Sequence, residues 1–154
     1  MGGGATVRQG SVTLDAWVLG QAVEDALAQG GSFVLTVTGN SMRPTLVPGR
    51  DRVCLVRAGI VRAGDIVFFR RSAGVYILHR VLRVDGDVCT VNGDSQAWTE
   101  QIPRSAILGS VSRICRNGRW MDTDTLAMKT YGTLWRTTRK LRPTLVRIKS
   151  GLKK

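Results

Sequence analysis

The 154-residue chain contains one histidine, His79, so any imidazole chemistry must run through that side chain. Cysteine is also sparse. Cys54, Cys89 and Cys115 are widely spaced, with no Cys-x-x-Cys pair and no Cys/His cluster, so no metal site and no cofactor is expected. An odd count in apolar contexts reads as reduced, buried thiols of a cytoplasmic protein. Two tyrosines and three phenylalanines set against eighteen glycines point to a turn-rich chain with an aliphatic core. No apolar run reaches the roughly 18 residues that a spanning helix needs, so no transmembrane helix is expected. The start, Met1-Gly2-Gly3-Gly4-Ala5-Thr6, lacks the charged and apolar regions of a secretory signal. It fits a loose myristoylation pattern, and a flexible glycine-rich start is the plainer reading. Acidic residues are absent from Lys129 to Lys154, where nine residues are basic. Of the formal charge of +12, only about three units therefore belong to the rest of the chain.

The length and a hydrophobic content of 43% suit one domain with a core of ordinary size. Residues 1–12 are expected to be flexible, 13–122 to form the main domain, and 126–154 to form a basic amphipathic tail. Leu14 to Gln29 reads as a helix, with Thr13 as N-cap, Asp15 in the first turn and Gly30-Gly31 as the stop. Its apolar stripe is Leu14, Val18, Ala22, Val23, Ala26 and Leu27. Short strands follow at Phe33–Val37, Arg52–Val56, Ile66–Arg70, Val75–Val84, Val88–Asn92, Ala106–Cys115 and Arg119–Met121. Asp85-Gly86 and Asn117-Gly118 are hairpin turns. Gly93-Asp94-Ser95 opens a loop expected to run to Pro103. The fold class is therefore mainly β: a strongly bent sheet or partly open barrel, with one N-terminal helix and a basic C-terminal helical tail.

The stretch Thr38-Gly39-Asn40-Ser41-Met42-Arg43-Pro44-Thr45-Leu46 follows the first strand and precedes Pro48-Gly49. It presents Ser41 on a tight bend. Serine is a poor nucleophile at neutral pH unless a base takes its proton and donors receive the oxyanion. Neutral imidazole has the right basicity, which makes His79 the candidate base. A carboxylate would fix its tautomer, and Asp94 and Glu100 are the downstream candidates. The Ser41 N–H is a natural oxyanion donor. Gly39, Asn40 and Met42 are expected to shape that hole or position the substrate.

Thr38 to Leu46 resembles the nucleophile box of the signal peptidase I and LexA-type serine peptidase superfamily. Three further segments match in order: Gly64-Asp65-Ile66-Val67-Phe68-Phe69, Leu78-His79-Arg80-Val81-Leu82 and Val91-Asn92-Gly93-Asp94-Ser95. Together they cover about residues 32 to 113. The resemblance implies a mostly β peptidase fold and a serine endopeptidase mechanism. Bacterial members use a lysine base. Here that position is His79, as in the archaeal and endoplasmic-reticulum signal peptidases, whose Ser-His-Asp system carries over to Ser41, His79 and Asp94. Those enzymes also have a second carboxylate about six residues after the Gly-Asp box, which falls on Glu100. Gly39 stands where bacterial signal peptidases often place a serine, so a second oxyanion donor must be backbone. Pro48-Gly49-Arg50-Asp51 has one residue more than the usual Pro-Gly-Asp.

The sequence reading is thus a serine endopeptidase acting on a leader or signal-like peptide. It belongs with the small members of the superfamily that lack a membrane anchor and a helix-turn-helix domain. The alternative is a non-catalytic binding or regulatory module on the same fold. The tail has three readings. It is solvated, or it makes peripheral contact with an anionic membrane through residues 129–154, or it binds nucleic acid. Trp135, an aliphatic stripe of Leu134, Leu141, Leu145, Ile148 and Leu152, and nine cations suit a membrane surface. Nucleic acid is the least favoured, because positive charge alone gives only non-specific phosphate affinity.

Overall fold

A computed structural model of the chain describes residues 16–72 and 74–139. Helix α1 (Ala16–Ala28) leads into strands β1 (Ser32–Thr36), β2 (Asp51–Arg57), β3 (Ile66–Arg70), β4 (Tyr76–Asp85), β5 (Val88–Asn92) and β6 (Glu100–Pro103). A short 3-10 turn at Arg104–Ala106 precedes β7 (Ile107–Arg116), β8 (Arg119–Asp122) and helix α2 (Leu126–Thr137). The strands form one antiparallel sheet in the order β1-β2-β7-β3-β4-β5-β6, with β8 added on β7, and the sheet does not close into a barrel. No helix among the described residues is long and apolar enough to cross a membrane.

Alternation along β3 divides the core in two. Ile66 and Phe68 join Val53, Leu55, Val111 and Ile114 on one face, where Val23 and Leu27 of α1 cover them. Val67 and Phe69 join Val81, Cys89, Val91 and Ile102 on the other. All three cysteines are buried and free. Gly86, Gly118 and Asn117 take positive φ, as two-residue hairpin turns require.

Three details depart from the sequence reading. The stretch expected to be loop up to Pro103 contains β6, which pairs Glu100 with Val91 and Ile102 with Cys89. Its polar start and terminal proline hide a strand whose one buried side chain is Ile102. The packed face of α1 is centred on Gly20, Val23 and Leu27, while Val18 and Ala22 stay exposed. Close approach explains the shift: a Cβ on Gly20 would overlap the Tyr76 ring. Of the expected tail, Leu126–Thr137 folds as α2, and Met128 packs against the first core cluster. Thr13, Leu14 and Asp15, and the stripe residues Leu141, Leu145, Ile148 and Leu152, lie outside the described residues.

Candidate active site

Two strand edges that no other described residue pairs define a groove. Val37 gives its N–H to Asp51 and accepts from Gly49, both at 3.0 Å. Backbone alternation therefore turns the peptide groups of Thr36 and Thr38 away from β2. Across the groove, Val81 exchanges bonds with Asp65 and Gly64, both at 2.8 Å. Tyr76 and Leu78 accordingly turn their peptide groups away from β3, and β5 pairs with β4 only from Arg80 onward. Leu35, Val37, Met42, Phe68 and Leu78 line the space between, Leu19 of α1 adds to the wall, and Ser41 and Gly39 border it. Unpaired edges of this kind accept an extended chain by strand addition.

The Ser41 segment is fastened to the loop after β5. The Ser41 carbonyl accepts from the Ser95 N–H at 2.8 Å and from its hydroxyl at 2.9 Å. The same hydroxyl reaches the Asn40 carbonyl at 3.0 Å. Gly93 is required for this closeness. A Cβ there would stand 2.7 Å from the Ser41 carbonyl oxygen and 2.9 Å from its Cβ. Asn40 holds its side-chain oxygen on Arg43 Nε at 2.9 Å. Met42 is buried in the first core cluster, where it anchors the bend. Nothing lies within 4 Å of where a Cβ on Gly39 would sit, so that position stays open towards the groove.

His79 lies on β4 opposite Val67 and is 2% exposed. Its ring is tilted against Phe69 at 6.0 Å and meets Trp98 edge-on at 6.0 Å. His79 thus sits on the face of Val67 and Phe69, whereas Ser41 borders the groove on the face of Phe68 and Leu78. Both approach the same place along the sheet: Ser41 abuts Gly93, which follows Asn92, and Asn92 pairs with Arg80. No hydrogen bond joins Ser41 to His79. Burial pushes the His79 pKa below its ordinary value, and Glu100 only partly offsets this. The imidazole is therefore neutral at pH 7, the form a general base requires.

The two candidate carboxylates occupy different places. Asp94 is 1% exposed and accepts both prongs of Arg80, at 2.9 and 2.7 Å. It also accepts the Thr45 hydroxyl, which in turn shares a hydrogen bond with the Tyr131 hydroxyl at 3.1 Å. The Asp94 carbonyl receives the Trp135 indole N–H at 3.1 Å. Glu100, not Asp94, is the carboxylate paired with His79. Its Oε1 lies 3.4 Å from His79 Nδ1, an ion-pair separation without a fully formed hydrogen bond. Glu100 is itself gripped by Arg71, at 2.9 and 2.6 Å.

Sequence reasoning assigned no role to Arg80, Thr45, Arg71, Trp98 or Tyr131. Arg80 alone carried a readable signal, because an arginine inside an apolar strand requires a buried carboxylate. The others meet the site only through topology. Asp51, whose register the sequence left open, is fully buried. Burial raises its pKa, but hydrogen bonds from Arg50, Arg116 and the Val47 N–H prevail and hold it well below the usual carboxylate range. It staples the end of the Ser41 segment to β7. Among the described residues no cluster of histidine, cysteine and carboxylate side chains can hold a metal ion.

No curated protein sequence matches the chain. A family model described as Peptidase S24-like matches residues 8–111, a span that contains Ser41, His79, Asp94 and Glu100. That match covers well over half the chain, and the antiparallel sheet with its bordering groove agrees with it: the chain belongs to the Peptidase S24-like family.

Proposed function

We propose that this protein is a serine endopeptidase that cuts a leader or signal-like peptide. Family membership supports a peptidase-type function in general. The single observation that carries the finer reading is the groove between the open edges of β1 and β4, bordered by Ser41. An extended peptide laid there gains main-chain bonds from Thr36 and Thr38 on one side and from Tyr76 and Leu78 on the other. Its carbonyl carbon is attacked by Ser41 Oγ, and His79 takes the proton and returns it to the leaving amine. The Ser41 N–H donates to the oxyanion, and Gly39 leaves room beside it. Glu100 takes the third place, because it is the carboxylate beside His79 Nδ1, while Asp94 is committed to Arg80. In this assignment Asp94 maintains the loop that carries Gly93 and thereby the position of Ser41.

Catalysis needs the Ser41 hydroxyl to reach His79 Nε2 around the edge of β4. Substrate binding therefore has to bring together two side chains that lie on opposite faces of the sheet and make no hydrogen bond without it. The test is cleavage of small-residue leader peptides by the wild type, Ser41→Ala and His79→Ala proteins. Cleavage that survives Ser41→Ala sinks the assignment. A second reading, a non-catalytic binding module, draws on the missing Ser41–His79 hydrogen bond. It expects extended peptides to bind the groove and remain uncut. Peripheral attachment to an anionic membrane through residues 129–154 stays part of the proposal for how such a protein meets its substrate. Sedimentation with anionic vesicles, lost on removal of those residues, checks it.

A further inference from the structure

His79, Trp98, Arg71 and Glu100 close a ring of four side chains. The His79 imidazole meets Trp98 edge-on at 6.0 Å. Trp98 carries the Arg71 guanidinium over its ring at 5.9 Å. Arg71 holds both Glu100 oxygens, at 2.9 and 2.6 Å, and Glu100 returns to His79 Nδ1 at 3.4 Å. The ring joins two otherwise separate parts of the chain. Arg71 begins the β3–β4 hairpin loop, whose closure is fixed by its N–H bonded to Val75 O at 2.8 Å. Trp98 and Glu100 come from the loop after β5 and the start of β6.

A carboxylate on a flexible stem has many rotamers, and Glu100 is 20% exposed at its side chain. Nothing in β6 alone aims it at an imidazole. The planar fork of Arg71 fixes both of its oxygens at once, and Trp98 limits where the guanidinium can go. We infer that Arg71 is a positioning residue that holds Glu100 against His79 Nδ1 and so keeps His79 Nε2 free to act as the base. This rests on the proposed reading of His79, but it concerns the imidazole itself. An Nδ1–H donated towards Glu100 leaves the Nε2 lone pair available. Loss of that acceptor removes the bias towards the Nδ1–H tautomer. The charged groups acting on His79 are Glu100, Arg71 and Asp94, so the Arg71 cation and the two carboxylates pull its titration in opposite directions.

Because the chain has one histidine, long-range proton–nitrogen NMR of the full-length, nitrogen-15-labelled protein reads this ring without overlap. The wild type is expected to show mainly the Nδ1–H tautomer at pH 8. Arg71→Gln and Glu100→Ala are both expected to shift the population towards the Nε2–H tautomer. Arg71→Lys, which keeps the charge but loses the fork, is expected to fall between, and it carries the test should Arg71→Gln not fold. On any peptide the protein cuts, Arg71→Gln should lower kcat by about tenfold or more with KM little changed. A wild type already in the Nε2–H form overturns the inference, as does an Arg71→Gln or Arg71→Lys protein with an unchanged tautomer. The spectrum is independent of turnover. A chain that cuts nothing but shows the expected tautomer change loses the peptidase reading and keeps this one. A chain that cuts peptides with an Arg71-insensitive tautomer does the reverse.

Discussion

Neighbouring residues of β4 send their side chains to two arginine–carboxylate pairs that differ in kind. Arg80 and Asp94 are 3% and 1% exposed and lie within a network that includes Thr45, Tyr131 and Trp135. Arg71 and Glu100 are 35% and 20% exposed, and Glu100 lies against the His79 imidazole. Burying two charges costs several kcal/mol per ion, so the first pair persists only because its geometry is fully satisfied. Breaking one partner strands the other. The second pair keeps contact with solvent and is individually weak. One pair therefore acts as a lock, fixing where the Ser41 and Gly93 segments meet. The other keeps contact with solvent, which suits the role proposed for His79 as a base whose charge must change. The comparison explains why Asp94, the better-placed carboxylate in sequence terms, is the less suited to partner His79.

The largest expected effect breaks the lock. Asp94→Ala leaves the Arg80 guanidinium buried without its counter-charge and should cost about 3–5 kcal/mol in urea unfolding. Next comes Gly93→Ala, whose Cβ must displace the Ser41 carbonyl and Cβ. Peptide cleavage should fall by about a hundredfold, since displacement of a nucleophile by an ångström is enough for that. Melting temperature should change far less than for Asp94→Ala.

Acid provides a third perturbation. His79 has a folded pKa below its unfolded value near 6.5, so the unfolded chain binds the extra proton. Its contribution to stability is intact above pH 6.5 and is lost as pH falls below it, at no more than about 1.4 kcal/mol per pH unit. His79→Gln should flatten that part of the profile. Asp51, also depressed, adds a loss only in stronger acid, below its ordinary 3.8. Smaller again is Trp135→Phe, which removes one hydrogen bond to the Asp94 carbonyl and should cost about 1 kcal/mol in thermal unfolding. Glu100→Ala should cost less than that in stability, because its pair with Arg71 is partly solvated, while still altering cleavage. Equal destabilisation by Asp94→Ala and Glu100→Ala would erase the distinction between the lock and the solvated pair.

Much of the fold was legible in the sequence because turns and alternation agree. Asn117-Gly118 turns its hairpin as read. Asp85-Gly86 falls one residue early, since Asp85 still pairs with Val88 and Gly86-Asp87 make the turn. Val53, Leu55, Val67 and Phe69 have the spacing of strand residues. The strand at Glu100–Pro103 escaped because its pairing rests on one buried isoleucine between polar residues and a proline. The register of α1 escaped because a glycine, Gly20, is the point of closest approach, and glycine carries no hydrophobic signal. Ser41, His79 and Asp94 stood out by residue type and motif order, with Glu100 as the second carboxylate. Which carboxylate faces His79 did not, because the answer depends on which face of β4 each neighbour leaves from. Composition marked residues 126–154 as a basic amphipathic tail. It could not reveal that Tyr131 and Trp135 turn back onto Thr45 and Asp94.

The central claim is that Ser41 is a nucleophile made reactive by His79. The most direct measurement is covalent labelling of the full chain by a fluorophosphonate probe, with the modified residue identified by peptide mass. The account predicts adduct on Ser41 in the wild type, none in Ser41→Ala, and labelling slowed by at least about a hundredfold in His79→Ala. Labelling of Ser41 at the same rate with and without His79 would contradict it, and so would a folded wild-type protein that takes up no probe.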